Sequence, residues 1–260
     1  LSLTSVAVYP PDRSFNGPGF PQPGPLLLCT CSIPPILGMM RAMPLPDSNP
    51  LFAGTNLVCL RGERLVFTDL NFTLDAGQAL LLRGPNGSGK SSLLRVLAGL
   101  IRPEAGRLTW GGAKITEDPV AHRARLHFVG HLDALKPPLG VAEMLGFWAG
   151  MRGDTGKVAQ ALDYFRLTRL ASAPCRLLSA GERKRLALAR LLASPAELWL
   201  LDEPTSGLDA AAETDLMHAI ARHRAGGGRV VLATHGPLPI EDAETLALDD
   251  YMPRPKAIAA

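Results

Sequence analysis

One run of eight residues constrains this chain more than any other. Gly84-Pro85-Asn86-Gly87-Ser88-Gly89-Lys90-Ser91 fits the spacing G-x-x-x-x-G-K-[ST], with Ser92 following. The apolar run Ala79-Leu80-Leu81-Leu82 leads in and reads as a buried strand. A helical pattern from Ser91 to Leu100 leads out, with Leu93, Leu94, Leu97 and Leu100 on one face. Glycines let the backbone turn tightly, so successive N–H groups point inward at an anion. The helix turns its positive N-terminal end to the same anion. The pattern arises by chance in about one chain in a hundred of this length, and the strand and helix around it supply the context that phosphate binding needs. Lys90 is placed to bridge β- and γ-phosphates, and the Ser91 hydroxyl to coordinate Mg²⁺.

A second apolar strand, Leu198 to Leu201, ends in Asp202 and Glu203. In a parallel sheet, ligands gather beyond the carboxyl ends of the strands, where the phosphate loop also opens. Neighbouring strand residues face opposite ways, so the two acids are expected to differ in role. Asp202 is expected to hold Mg²⁺ directly or through water, and Glu203 to orient or deprotonate the water that attacks the γ-phosphate. With a third apolar run at Val230 to Ala233, strands alternating with helical patterns predict an α/β fold on a mainly parallel sheet.

Composition limits the alternatives. At 260 residues, 47% hydrophobic and 20% charged, the chain can bury a sizeable core and is not wholly disordered. A net charge of +3 gives no reason to invoke nucleic acid. Four cysteines are too few for a disulfide framework. The stretch Leu26 to Met40 is apolar, but Pro34 and Pro35 interrupt it, and it falls short of the ~20 residues of a membrane-crossing helix. Residues 1–50 repeat Pro and Gly without period and are expected to be a disordered leader. Translation is expected to start at Met39, Met40 or Met43, which makes the leader a start-site artefact. The globular domain is expected over 51–249 and a tail over 250–260.

Three further segments carry a resemblance. Leu178-Ser179-Ala180-Gly181-Glu182 resembles the Leu-Ser-Gly-Gly-Gln signature of ABC-transporter ATPases, Ser206-Gly207-Leu208-Asp209 resembles their D-loop, and His235 after Thr234 resembles their switch histidine. Each match is short, but they follow the phosphate loop in the family's order. The resemblance implies a P-loop NTPase fold of the ABC nucleotide-binding type: a mainly parallel core, an antiparallel β part, and a helical signature subdomain over about 135–185. It implies ATP and Mg²⁺ as ligands and ATP hydrolysis as the activity. It also implies a homodimer in which Ser179, Gly181 and Asp209 of one copy close on ATP held by the phosphate loop of the other. The run Glu182-Arg183-Lys184-Arg185 is read as a solvated charge face.

The chain departs from the family pattern at two site positions. His131 stands where the family has its loop glutamine, and an imidazole has a different reach from an amide. Arg61 stands where an aromatic usually stacks on adenine, and a guanidinium plane can stack there instead. Gly130-His131, the Leu178–Glu182 signature and Glu197-Leu198-Trp199-Leu200-Leu201-Asp202-Glu203-Pro204 together resemble the CcmA type, the ATP-binding subunits of bacterial cytochrome c biogenesis (haem export). That resemblance implies a polytopic membrane partner of the CcmB type and a peripheral position on the cytoplasmic face of the inner membrane. It also implies no direct haem contact by this chain. His122, His127, His218 and His223 are expected at the surface, Cys59 and Cys175 in packing, and Cys29 and Cys31 to be incidental. Two alternatives stay open: the ATPase of another small exporter, and an ATPase of this fold that serves no transporter.

Overall fold

The computed structural model describes residues 51–236 and 238–253. The expected leader, with its cysteines and candidate start sites, and the end of the expected tail lie outside the described residues.

Two sheets organise these residues. An antiparallel sheet of order β2-β1-β4-β5 uses β1 (Phe52–Arg61), β2 (Arg64–Leu74), β4 (Ala105–Trp110) and β5 (Ala113–Lys114). A parallel sheet of order β6-β7-β8-β3-β9 uses β6 (Leu126–Val129), β7 (Leu198–Asp202), β8 (Arg229–Ala233), β3 (Ala79–Arg83) and β9 (Glu244–Ala247). The helices are α1 (Lys90–Leu97), α2 (Pro119–Ala124), α3 (Val141–Gly150), α4 (Val158–Tyr164), α5 (Ala180–Ala193) and α6 (Ala210–Ala225).

The continuous apolar runs become central strands because both faces of the parallel sheet are covered. Every residue of β7 and β8 is buried. Side chains on each strand alternate between two cores. Leu80, Leu82, Leu198, Leu200 and Val231 pack with α1 and the antiparallel sheet. Leu81, Trp199, Leu201, Val230 and Leu232 pack with α3, α4, α5 and α6. A fully buried leucine contributes about 2 kcal/mol, so this sandwich of two cores holds the strand ends, and what hangs from them, in fixed register.

Several expectations shift. Helix α1 stops at Leu97, because Gly99 takes φ 66 and the chain turns away; Leu100 is therefore 58% exposed instead of in the core. Strand β2 runs from Arg64 to Leu74, and the residues Asn71 to Leu74, which alternate polar and apolar in the sequence, are only its end. Three register shifts against β1 break the period that would have revealed it. Contrary to expectation, His122 and His127 are buried, and His223 lies flat against Trp199 with ring centroids 3.9 Å apart. His218 is exposed as expected. Cys59 and Cys175 are buried free thiols.

A candidate nucleotide site at the strand ends

The carboxyl ends of β3, β7 and β8 open on one cavity of about 640 Å³. Register sets the depth of each group: Leu82 of β3 and Asp202 of β7 both lie opposite Ala233 of β8. The loop 84–89 leaves β3 at this level and enters α1 through Gly89. Gly89 has φ 104, and a Cβ there would sit 2.5 Å from Val66 Cγ1, so only glycine fits. Lys90 is 7% exposed, and its ammonium donates back across the loop to the carbonyls of Gly84 at 2.7 Å and Pro85 at 3.1 Å. Ser88 is buried with an unpartnered hydroxyl.

Ser91 and Asp202, 111 positions apart in the chain, meet here. The Ser91 hydroxyl donates to Asp202 Oδ1 at 3.1 Å. Two oxygens so placed, one of them on a carboxylate that is 3% exposed, suit a hard cation such as Mg²⁺, which keeps water or phosphate as its other ligands.

Glu203 follows Asp202, but the strand ends before it. Its φ of 48 is left-handed, and its N–H donates to Ala233 O at 3.0 Å. The two acids therefore part company through a backbone turn, where strand alternation had been expected to separate them. Such a conformation costs a non-glycine residue of order 1–3 kcal/mol and is concentrated at functional sites. Glu203 Oε1 lies 3.4 Å from His235 Nε2, in contact but without hydrogen-bond alignment. The loop that carries His235 is tied to β3 by Arg83, whose Nη1 donates to Gly236 O.

Arg61 and His131 both reach the same cavity wall. Arg64, Val66 and Ser206 join them; Ser206 opens the expected D-loop segment, whereas Arg64 and Val66 were not expected at the site. The spacing around the β1–β2 turn at Gly62-Glu63 places Arg64 beside Arg61, and that spacing was the available signal.

Ser179, Gly181 and Asp209 do not line this cavity. Ser179 caps α5: its hydroxyl accepts from Glu182 N at 3.2 Å, and Glu182 Oε2 accepts from Ser179 N at 2.9 Å. These backbone and hydroxyl bonds hold the Glu182 carboxyl below the usual range. Asp209 caps α6 through Ala212 N and lies 3.7 Å from Arg185. Gly181 packs so near Gly207 that a Cβ would come within 3.1 Å of its carbonyl. The signature and D-loop segments thus touch, through Gly181 with Gly207 and Arg185 with Asp209, while Ser206 of the D-loop segment lines the phosphate-loop cavity.

The charge run is not a solvated face. Lys184 is 5% exposed and Arg185 is mostly covered. Burial pushes the Lys184 amine down, while the charges of Asp133, Asp202 and Glu203 pull it back up. The spacing 184, 188, 191 puts Lys184 in line with Leu188 and Leu191, both buried, and a solvated reading overlooks that face.

Against known proteins, the ABC transporter family profile matches residues 67–206. The chain is 54% identical over 215 residues to the "Cytochrome c biogenesis ATP-binding export protein CcmA" of Rhodospirillum rubrum, covering 82% of this chain and 92% of that protein. The chain belongs to the ABC transporter family. Within it, the CcmA type is shown again by the Paramagnetospirillum magneticum protein of the same name, 53% identical with 78% of this chain and 96% of that protein covered. Among solved structures, a putative ABC transporter ATP-binding protein from Pyrococcus furiosus superposes with a TM-score of 0.68 at 22% identity, over 78% of this chain and all of that one. An ATP-binding subunit of an ABC transporter gives 0.66 at 26% identity, over 71% and 79% of the two chains. The α/β ABC fold expected from the sequence is the one observed. As a family member, the chain is an ATP-hydrolysing transporter subunit.

Proposed function

We propose that this chain binds ATP and Mg²⁺ at the cavity beyond β3, β7 and β8 and hydrolyses it between two copies, as the motor of an exporter in cytochrome c biogenesis. The observation that carries the reading is the convergence of the phosphate loop, Asp202, Glu203 and His235 on one cavity.

The N–H groups of Gly84, Asn86, Gly87, Ser88 and Gly89, with Pro85 shaping the turn, cradle the phosphates. Lys90 exchanges its carbonyl partners for β- and γ-phosphate oxygens, and Ser92 adds a polar group at the first turn of α1. Ser91 and Asp202 hold Mg²⁺, which when bound neutralises charge on the phosphates. Glu203 accepts a proton from the attacking water; the new O–P bond forms as the bond from the γ-phosphorus to the bridging oxygen breaks, leaving ADP and phosphate. His235 positions Glu203 and contacts the γ-phosphate. Arg61 supports the base by stacking, and His131 lines the γ-phosphate side. Ser179, Gly181 and Asp209 act on the nucleotide of the second copy: they stand outside their own chain's cavity, and Ser179 sits at the start of a fourteen-residue helix whose dipole favours an anion.

No helix among the described residues is long and apolar enough to cross a membrane, so transport needs a polytopic partner, which we assign as CcmB-like. Leu132, Phe147, Met151 and Leu177 are 82%, 52%, 69% and 69% exposed, an apolar display that suits a membrane subunit. Leu132 neighbours His131, so docking there reaches the nucleotide cavity within one residue. We take 51–249 as one ATP-binding domain with a helical subdomain over about 135–185, placed peripherally at the cytoplasmic face of the inner membrane. Haem is the cargo-related species by the CcmA likeness, and its contacts belong to the partner. Nucleic acid has no part. Purification of the complex in detergent tests the assignment: co-purification of a polytopic membrane protein supports it, and recovery of ribosomes or DNA in its place overturns it.

A further inference from the structure

A second cavity, of about 660 Å³, lies at the C-terminal end of α1 and shares no lining residue with the nucleotide site; it is walled by the end of α1, the segment 99–104, β1, β4, β5 and α2. This volume falls within the ~300–1,000 Å³ of small-molecule sites. Val96, Ile101, Leu108 and Ile115 give it an apolar floor. Four cations, Arg102, Arg107, Lys114 and Arg123, line it against a single carboxylate, Glu104. None of the four takes part in an ion pair among the described residues. The wall also includes His122, which is 1% exposed. Its Nε2 meets Leu97 O at 2.8 Å, so that nitrogen carries the proton and donates. Nδ1 is then a buried acceptor with no partner. Burial, together with the nearby Arg125 and Arg123 charges, pushes this imidazole down and keeps it neutral.

We propose that this cleft binds a small organic anion with an apolar body, such as an aryl phosphate, with the anionic group held by the arginines and the body on the Val96–Leu108 floor. A rim of four cations against one carboxylate around an apolar floor selects both features at once: charge alone leaves the floor wet, and an apolar body alone leaves the guanidiniums to water. The site is distinct from the phosphate loop and does not depend on the nucleotide reading. Leu100 and Val120, 58% and 75% exposed, flank lining residues in sequence, which makes an anionic lipid surface the competing source of the anion.

The test uses the full chain with saturating ADP, so that the phosphate loop is occupied, and 1-naphthyl phosphate as the probe in a calorimetric titration. The expected result is one bound probe per chain, with inorganic phosphate and 1-naphthol each at least about tenfold weaker. The double variant Arg107→Glu/Arg123→Glu changes only exposed side chains; with its thermal transition intact, it is expected to lose at least about tenfold in probe affinity. Lys90→Ala is expected to leave probe binding unchanged. Unchanged affinity in the double variant, inorganic phosphate binding as tightly as the probe, or loss of the probe in Lys90→Ala would each overturn the site. So would failure of the probe to bind while the chain sediments with phosphatidylcholine vesicles containing a quarter phosphatidylglycerol, which would assign the rim to a membrane.

Discussion

The N-termini of α1 and α5 are two solutions to the same physical problem, four backbone N–H groups without helical partners. At α1 the chain leaves them to a ligand. Gly89 offers no side-chain cap, and the loop curls so that Lys90, Ser91, Asp202 and Glu203 face one cavity. At α5 the chain supplies its own partner, the reciprocal Ser179–Glu182 box, and the helix start lies outside that cavity. The first end is a site made within one chain. The second is capped by its own side chains and lies outside that cavity, and we propose that it acts on the nucleotide of a second copy.

If that division is right, variants at the two ends fail differently. The largest effect is expected for Glu203→Gln: nucleotide binding persists while ATP hydrolysis falls about 10²–10⁴-fold, measured as phosphate release. Wild-type turnover in this variant would remove Glu203 from the chemistry. Lys90→Ala removes charge-assisted bonds to phosphate and is expected to weaken nucleotide affinity about ten- to a hundredfold in a fluorescence titration; unchanged affinity would contradict its role. Ser179→Ala is expected to leave single-chain nucleotide affinity alone and to lower hydrolysis about tenfold, with a loss of about 1 kcal/mol of stability from the missing cap. A matching loss of affinity would mean that α5 serves its own chain's nucleotide and would erase the contrast.

A smaller effect concerns the scaffold. Burial pushes His127 down to about 3 and His223 down to about 4, against an ordinary 6.5. Below pH 6.5 the unfolded chain binds protons at both imidazoles that the folded chain excludes, so stability falls as pH falls, through about 4 for His223 and about 3 for His127. His223→Phe, which keeps a flat ring against Trp199, is expected to show a shallower fall of the melting temperature between pH 6.5 and 4. An unaltered slope would mean that His223 does not contribute.

What was legible in the sequence follows the same contrast. The phosphate loop was legible because its chemistry is local: the glycines, Lys90 and Ser91 are contiguous, and the strand before them is a continuous apolar run. Asp202 was legible because β7 is equally continuous. The antiparallel sheet was largely hidden, since β1 and β2 slip register three times and bulges erase the two-residue period. The histidines were misplaced for a different reason. His122 and His127 each set one ring nitrogen against a carbonyl, Leu97 O and Ser194 O, that lies 25 and 67 positions away, and no local pattern announces such partners. The departure of Glu203 into a left-handed turn was equally silent, because nothing in Asp202-Glu203-Pro204 states where the strand stops.

The central claim, one triphosphate held by two copies, is tested most directly by the mass of Glu203→Gln in solution, read by light scattering. With ATP and Mg²⁺ the account predicts twice the 27.7 kDa of the chain, reverting to a single chain with ADP and prevented by adding Ser179→Arg. A particle of one chain's mass under saturating ATP would contradict it.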